Sequence, residues 1–292
     1  MKAGIQDGCR PLAVNFMVPI GIITQNRAAY LDVTLRSLSA TQLPADVPLT
    51  VFDDSSVDDL TLSYYGTTKP LSLAHNWPDS AQWRAHGLDI ISKPASPSGI
   101  HGRVEVYRLA DRPLGVVSGS CLAIQHLFER FPKSQGVILL QDDEVFNADW
   151  YQRMLDTVGK SNQFTHLPLG ILAGLKLNHK LPVTGTPPLA FESGITAQCL
   201  YVSCAAYDRR RSYFTRKHQQ QKRFDDMLRR EIAGAELWAG CIYPFVCQHF
   251  GVQSLVRPEK KWTALQSGRI GYYARPPFVL ADTVRQFKGC FQ

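Results

Sequence analysis

Val137-Ile138-Leu139-Leu140-Gln141-Asp142-Asp143-Glu144 is an apolar run that stops abruptly at an amide and three acids. Four consecutive aliphatic residues, two of them β-branched, predict a strand buried on both faces of a parallel sheet. The C-terminal rim of such a strand is where open α/β sheets bind their ligands. Asp142, Asp143 and Glu144 repel one another there, and a divalent cation is a natural compensation. Hard cations such as Mg²⁺ and Mn²⁺ take oxygen ligands and bridge phosphates.

The flanking sequence extends this strand into a layered domain. Val18–Thr24 is β-prone and is followed by Gln25-Asn26-Arg27 and a helical spacing of Tyr30, Leu31, Leu35 and Leu38. After Pro44 and Pro48, Leu49–Phe52 reads as a second strand ending in Asp53-Asp54-Ser55-Ser56, which completes a β-α-β unit. Arg103–Leu109 alternates like a strand. Gly115–Arg130 is helical, with Val117, Cys121, Ile124, Leu127 and Phe128 on one face, and Asp149–Val158 is a helix after the acidic strand. Residues 64–103 are rich in Pro, Gly, Ser, His and Trp and read as a long excursion with a strand at Leu88–Ser92.

The second half is less regular. Strands are expected at Gly170–Leu177 and Gln198–Ser203 around a Pro/Gly/Thr loop at 182–188, with a basic helical region over 209–233. Cys241–Cys247 is apolar and leads into Gln248-His249-Phe250-Gly251, and the tail from Val256 reads as a wrapping arm or lid. The expected fold class is α/β: a doubly wound mixed sheet flanked by helices, with an irregular C-terminal region.

Composition excludes a disordered chain, with 45% hydrophobic and 20% charged residues. The net charge of +7 suits anionic partners such as nucleotides, nucleic acid or acidic glycans, and equally a basic surface with no polyanion partner. No segment reaches the ~20 apolar residues that span a bilayer. Met1–Arg10 is polar, and Asn15 and Pro19 interrupt Leu12–Ile23, so no secretory signal is read. The seven cysteines are scattered without a CxxC pair, which indicates neither a zinc site nor a disulfide framework; reduced thiols in a cytoplasmic protein are expected.

Two acidic pairs, Asp53-Asp54 and Asp142-Asp143, end two strands that a parallel sheet places at the same edge. One pair suits hydrogen bonds from a base or ribose, the other a metal and diphosphate. The plainer alternatives are an Asx turn or helix cap at Asp53-Asp54-Ser55 and a solvated turn at Asp142-Asp143.

On these residues the N-terminal half resembles the GT-A glycosyltransferases of the family 2 type. The matching stretches are Pro19–Arg27 (Pro-Ile-Gly-Ile-Ile-Thr-Gln-Asn-Arg), Val51–Ser56 (Val-Phe-Asp-Asp-Ser-Ser), Leu114–Ser120, and Gln141-Asp142-Asp143 at the place of the Asp-x-Asp motif. The continuation Glu144-Val145-Phe146-Asn147-Ala148-Asp149-Trp150-Tyr151 is similar to N-acetylglucosaminyltransferase I and its relatives, from which Gln141 departs by replacing an acid. Phe224-Asp225-Asp226-Met227-Leu228 is similar to the segment carrying the catalytic base of inverting members, and Gln248-His249-Phe250-Gly251 to a late Gln-His-x-Gly segment.

The resemblance implies a metal-dependent transfer of sugar from a nucleoside diphosphate sugar, such as a UDP-sugar, to an acceptor hydroxyl, with inversion. Thr24, Asn26, Arg27, Asp53, Asp54, Gly115, Ser118, Gln141 and Asp142 would then bind the donor. Asp143 and His249 would hold Mn²⁺ or Mg²⁺, and Asp226 or Asp225 would act as base. Residues 1–160 would be the nucleotide-sugar-binding half and 161–292 the acceptor and base half of one continuous domain. Alternatives for individual residues are an exposed helix acid paired with Arg229 or Arg230 at Asp225-Asp226, and a structural histidine at 249.

The basic stretch with Arg209, Arg210, Arg211, Arg216, Lys217, Lys222, Arg223, Arg229 and Arg230 has Tyr213 and Phe214 interleaved. It suits a glycan acceptor, a grip on the donor diphosphate, a solvated face, or a nucleic acid over 209–230 whose bases stack on the rings; DNA modification of a flipped base belongs to that last reading. Two rivals remain at this level: a sugar nucleotidyltransferase, for which Gly21–Arg27 lacks the Gly-rich basic loop, and a non-enzymatic basic nucleic-acid-binding protein.

Overall fold

The computed structural model describes residues 17–65, 88–89, 104–110, 112–161, 165–174, 196–216, 218, 224–242 and 246–249. The expected loop at 182–188, the segment Phe250–Ser254, the tail from Val256, and Lys217, Lys222 and Arg223 lie outside them.

The first strands are β1 (Ile20–Thr24), β2 (Leu49–Asp53), β3 (Leu88–Asp89), β4 (Val104–Arg108) and β5 (Gly136–Gln141). They are joined by α1 (Ala28–Ser39), α2 (Asp59–Tyr64) and α3 (Gly115–Arg130). There follow β6 (Glu144–Phe146), α4 (Trp150–Gly159), β7 (Leu169–Ala173), β8 (Leu200–Ser203), α5 (Cys204–Arg209), α6 (Arg211–Thr215), α7 (Phe224–Ala233), β9 (Trp238–Cys241) and β10 (Cys247–His249).

Eight strands form one mixed sheet in the order β3-β4-β2-β1-β5-β8-β7-β9, while β6 and β10 form a separate antiparallel ribbon. The α/β, mixed-sheet expectation is met. The sheet continues past residue 160, since β7, β8 and β9 extend it from β5. The pairs β1–β2, β1–β5 and β2–β4 are parallel, so Thr24, Asp53 and Gln141 end their strands at one edge. Strand β8 runs antiparallel to both β5 and β7, and β9 is parallel to β7, so β7 and β9 run in the direction of β5.

The sequence dictates this packing directly. Ile20, Ile22, Val51, Phe52, Val137, Ile138 and Leu140 are fully buried, as central strands covered on both faces require. Gly21 is needed between them, because a Cβ there would stand 2.8 Å from the ring of Phe52. Helix α3 buries Val117, Cys121, Leu122, Ile124 and Leu127 on the sheet. The expected helical region over 209–233 holds, among the described residues, the two helices α6 and α7, which bury Tyr213 with Phe214 and Phe224, respectively.

Candidate active site

The acid pair sits in the two-residue turn between β5 and β6, and α1 holds that turn from below. Thr34 and Ser37 are polar residues on the buried face of an otherwise apolar helix stripe. Thr34 Oγ1 donates to the Asp142 carbonyl at 2.7 Å and accepts from Glu144 N at 3.1 Å, and Ser37 Oγ accepts from Phe146 N at 2.9 Å. These hydrogen bonds satisfy backbone groups that the turn leaves unpaired inside the protein. Sequence reading missed both residues; the signal was two small hydroxyls interrupting the Tyr30–Leu38 stripe.

The carboxylates themselves are compensated from within the chain. Arg27, the residue just before α1, donates from Nη1 to Asp142 Oδ1 at 2.7 Å and from Nη2 to Asp143 Oδ2 at 2.8 Å. Thr24 Oγ1 donates to Asp142 Oδ2 at 2.7 Å. His249 Nε2 lies 3.0 Å from Asp143 Oδ2. Thr24, Arg27, Asp142, Asp143 and His249 are therefore brought into one cluster.

Arg27 also stacks on Tyr30, its guanidinium carbon 4.0 Å from the ring centroid. Burial lowers the Arg27 pKa and the two acids raise it, with a net rise, so it is permanently charged. Burial alone would push Asp143 up, but His249 and Arg27 hold it well below the usual carboxylate range. Asp142 is raised, chiefly by burial and with a further push from Asp143, against the opposing pull of Arg27.

One oxygen stands apart. Asp143 Oδ1 is buried and has no hydrogen-bond partner among the described residues. An ionised carboxylate oxygen in that state is costly unless a cation or donor meets it. With an imidazole beside it, the donor set of Asp143 and His249 fits a hard-to-borderline divalent ion. The mutual repulsion expected among the three acids is reduced further because Glu144 leaves the cluster: its Oε1 accepts from Cys199 N at 3.0 Å and Gln141 N at 3.3 Å. Gln141 meets Gln198 at 3.4 Å.

The second acidic pair is built into the backbone. Asp53 Oδ2 accepts from Ser56 N at 3.0 Å and Asp53 Oδ1 from the Tyr65 hydroxyl at 3.1 Å, which is the turn-forming alternative for this residue. Asp54 caps α3 from outside: Oδ1 accepts from Leu114 N at 2.8 Å and Oδ2 from Gly115 N at 2.9 Å. Gly115 has a φ of 78°, a conformation that glycine adopts without strain. Burial pushes Asp54 up to about 6 against the pull of those two N–H groups. Asn26, itself at a positive φ of 51°, fixes the Ser55–Asp58 loop by accepting from Val57 N at 2.8 Å and Asp58 N at 3.2 Å. Ser118 Oγ donates to the His218 carbonyl at 3.1 Å, a buried bond.

Asp225 and Asp226 lie in the first turn of α7. That helix packs on β9 and returns to it through a tight turn closed by Leu237 N to Ile232 O at 3.2 Å. It therefore runs against β9, whose direction is that of β5. The N-terminal end of α7 consequently lies toward the same sheet edge as the acid pair. The Asp226 side chain is outside the described residues.

The basic segment does not present its rings. Tyr213 and Phe214 are buried in the core, so they offer no stacking platform for bases in this arrangement. Arg210 and Arg216 lie 3.8 and 3.7 Å from Glu231 carboxylate oxygens, and Arg209 donates to the Ala235 carbonyl at 3.2 Å.

No protein-family model matches the chain, and no curated protein matches it either. Among solved structures it is similar to S. aureus TarS in complex with UDP-GlcNAc, at 13% identity and a TM-score of 0.46, over 77% of this chain and 56% of that one. It is also similar to the mannosyltransferase PcManGT from Pyrobaculum calidifontis in complex with GDP-Man and Mn²⁺, at 13% identity and a TM-score of 0.32, over 55% of this chain and 36% of that one. A third similarity is to an active-site mutant of LgtC, at 14% identity and a TM-score of 0.42, over 76% of this chain and 72% of that one. The chain thus spans about half the length of the TarS structure it matches.

Proposed function

We propose that this chain is a GT-A-like glycosyltransferase that moves a sugar from a nucleoside diphosphate sugar to an acceptor hydroxyl. The observation that carries the reading is the buried, unpartnered Asp143 Oδ1, held beside His249 and Arg27 at the C-terminal edge of parallel strands. A ligand edge lined by Thr24, Arg27, Asp142 and Asp143 suits a donor that carries both hydroxyls and a diphosphate.

Asp143 and His249 would hold Mn²⁺ or Mg²⁺. A divalent ion bound there supplies charge that stabilises the departing diphosphate. Arg27 provides a fixed positive charge at the same edge, already desolvated and oriented by its two acids, so it needs little reorganisation when the leaving group gains charge. Thr24 fixes the Asp142 carboxylate. Asp54 fixes the start of α3 beside this edge by accepting from Leu114 N and Gly115 N. Asp226 or Asp225, in the first turn of α7, takes the proton from the acceptor hydroxyl as it attacks, and transfer proceeds with inversion. The 1–160 half then serves the donor and the 161–292 half the acceptor, for which a glycan hydroxyl is the favoured class.

A thermal-shift panel of nucleoside diphosphates and nucleotide sugars, with and without Mn²⁺, tests this reading. A ligand that binds only the folded chain raises its apparent stability. The expected result is a Tm rise with at least one nucleoside diphosphate and its nucleotide sugar that is larger with Mn²⁺, and conversion of that nucleotide sugar to free nucleoside diphosphate when an acceptor glycan takes the sugar. A flat response across the panel overturns the proposal.

A further inference from the structure

Directly behind the acid turn lies a second cluster whose chemistry is different. A carboxylate oxygen of Glu144, Cys199 Sγ and Cys247 Sγ lie within 4.8 Å of one another, and all three residues are buried. We propose that these residues form a structural site for a soft-to-borderline divalent cation, Zn²⁺ being the best match, distinct from the Asp143–His249 edge.

Glu144 supplies the first argument. Its Oε1 is held by two backbone N–H groups, Cys199 N and Gln141 N, which leaves Oε2 in a fixed direction. Glu144 is 0% exposed, yet Oε2 has no hydrogen-bond partner among the described residues. A buried carboxyl oxygen in a residue clustered with two thiols, with no partner among the described residues, is a costly arrangement that a cation would complete.

The backbone supplies the second. Cys199 has a φ of 46°, a left-handed conformation uncommon for a residue with a side chain. Strain of this kind persists where the surroundings dictate it, and it clusters at ligand sites. Here it lets one residue donate its N–H to Glu144 while placing its thiol in the same cluster. Cys247 reaches the cluster through the ribbon: His249 pairs with Glu144 and Cys247 with Phe146, so Glu144 and Cys247 are diagonal neighbours across β6 and β10.

The donor set selects the ion. Two thiolates and one carboxylate are a borderline-soft set suited to Zn²⁺, whereas Mn²⁺ and Mg²⁺ favour oxygen-rich sites. With Zn–S bonds of about 2.3 Å, two sulfurs in a tetrahedral site stand about 3.8 Å apart, so only a small contraction of the cluster is required. Binding forms two metal–sulfur bonds and one metal–oxygen bond, and each thiol releases its proton to solvent. No electron is transferred.

The location gives the site a purpose. Cys199 immediately precedes β8 of the main sheet, while Glu144 and Cys247 belong to the ribbon that carries His249. A cation here would staple the ribbon to the sheet and fix His249 against Asp143. The spacing gave no sign of it in the sequence, since the ligands are far apart and none belongs to a CxxC pair.

Co²⁺ substitution tests the proposal on the full chain, stripped of metal by chelator and kept reduced. Bound by two thiolates, Co²⁺ gives an intense thiolate-to-metal charge-transfer absorption that an oxygen and imidazole site does not. The expected result is that band, saturating near one equivalent and abolished by one equivalent of Zn²⁺ but not of Mg²⁺. Cys199→Ser and Cys247→Ser should lose it, and Asp143→Asn should keep it. Wild-type chain that shows no band, or a band that survives in both cysteine variants, overturns the site. So does a wild-type mass under non-reducing conditions that shows Cys199 and Cys247 joined as a disulfide. The wild-type spectrum and mass decide the matter even where a variant fails to fold, and neither depends on glycosyl transfer.

Discussion

His249 Nε2 stands 3.0 Å from Asp143 Oδ2, although the two residues are 106 positions apart in the chain. The contact joins the turn after the central strand β5 to the last described strand, β10. It also leaves Asp143 with one oxygen shared by His249 and Arg27 and the other with no partner among the described residues. That asymmetry is what a carboxylate about to meet a cation needs: one oxygen orients the group and the other is available.

Asp143→Asn keeps the shape of the side chain and removes its charge. Loss of one preorganised electrostatic group of this kind costs transfer about 10²–10³-fold. Sugar transfer should fall by that amount, and the additional Tm rise given by Mn²⁺ in the presence of nucleotide should disappear. Full transfer by this variant in the presence of metal would contradict the assignment of Asp143.

Arg27→Ala exposes the other side of the balance. It leaves Asp142 and Asp143 buried, with side chains 3% and 5% exposed, and deprived of their bidentate partner. Breaking a buried ion pair from one side typically costs about 3–5 kcal/mol. The variant should unfold at markedly lower urea concentration than wild type, and Mn²⁺ should recover more stability in the variant than it adds to wild type. Arg27→Lys recovers less than the change of charge alone suggests, because one ammonium does not reproduce the two-pronged contact.

Asp54 yields a pH signature with a definite sign. Its folded value of about 6 is above the ordinary 3.8, with burial as the main cause. In the window between those values the folded chain holds a proton that the unfolded chain has lost, so this group's contribution to stability falls as pH rises from about 4 to about 6. Asp143 acts in the opposite sense: held below its ordinary 3.8, it contributes stability above that pH and loses it as the pH drops further. Asp54→Asn should therefore make the decline between pH 4 and 6 shallower in a series of urea melts, with the part owed to the other raised acid, Asp142, remaining, and leave the acid limb below pH 4 in place.

Gly115→Ala isolates the backbone demand at the cap. A Cβ there meets nothing within 4 Å, so sterics with neighbours play no part and only the φ of 78° matters. A left-handed alanine costs about 1–2 kcal/mol. Thermal melts should show that loss with little change in nucleotide binding, provided that Asp54 still receives both N–H groups. A variant as stable as wild type would show that the cap does not require this conformation.

Period and run length made β1, β2, β4, β5 and α3 legible from the sequence, because each buries a face whose apolar spacing is set by its own geometry. Gly115–Arg130 begins and ends where its spacing says it should. The ribbon was not legible: Glu144–Phe146 and Cys247–His249 have three residues each, too short for any period, and they exist only by pairing with one another. Within the site, acids at strand ends stand out in sequence. Their partners do not, because Thr34 and Ser37 look like ordinary helix residues until the fold sets them under the turn. Tyr213 and Phe214 mislead in the other direction, since aromatics among arginines have the composition of a nucleic-acid surface, yet these rings are in the core.

The choice of base rests on topology. Because α7 turns back into β9, and β9 shares the direction of β5, the first turn of α7 lies toward the end of the sheet at which β5 ends, three strand positions from β5. Both Asp225 and Asp226 are in that turn, but successive residues on a helix point about 100° apart, so only one can face the acceptor. Removing a general base costs about 10²–10⁴-fold in rate while leaving the donor in place. Asp226→Asn and Asp225→Asn should therefore behave differently: one variant should lose transfer by that factor with an unchanged nucleotide-induced Tm rise, and the other should remain active. Asp226 is expected to be the sensitive position. If both variants transfer at the wild-type rate, the proton leaves by another group and α7 is part of the acceptor wall only.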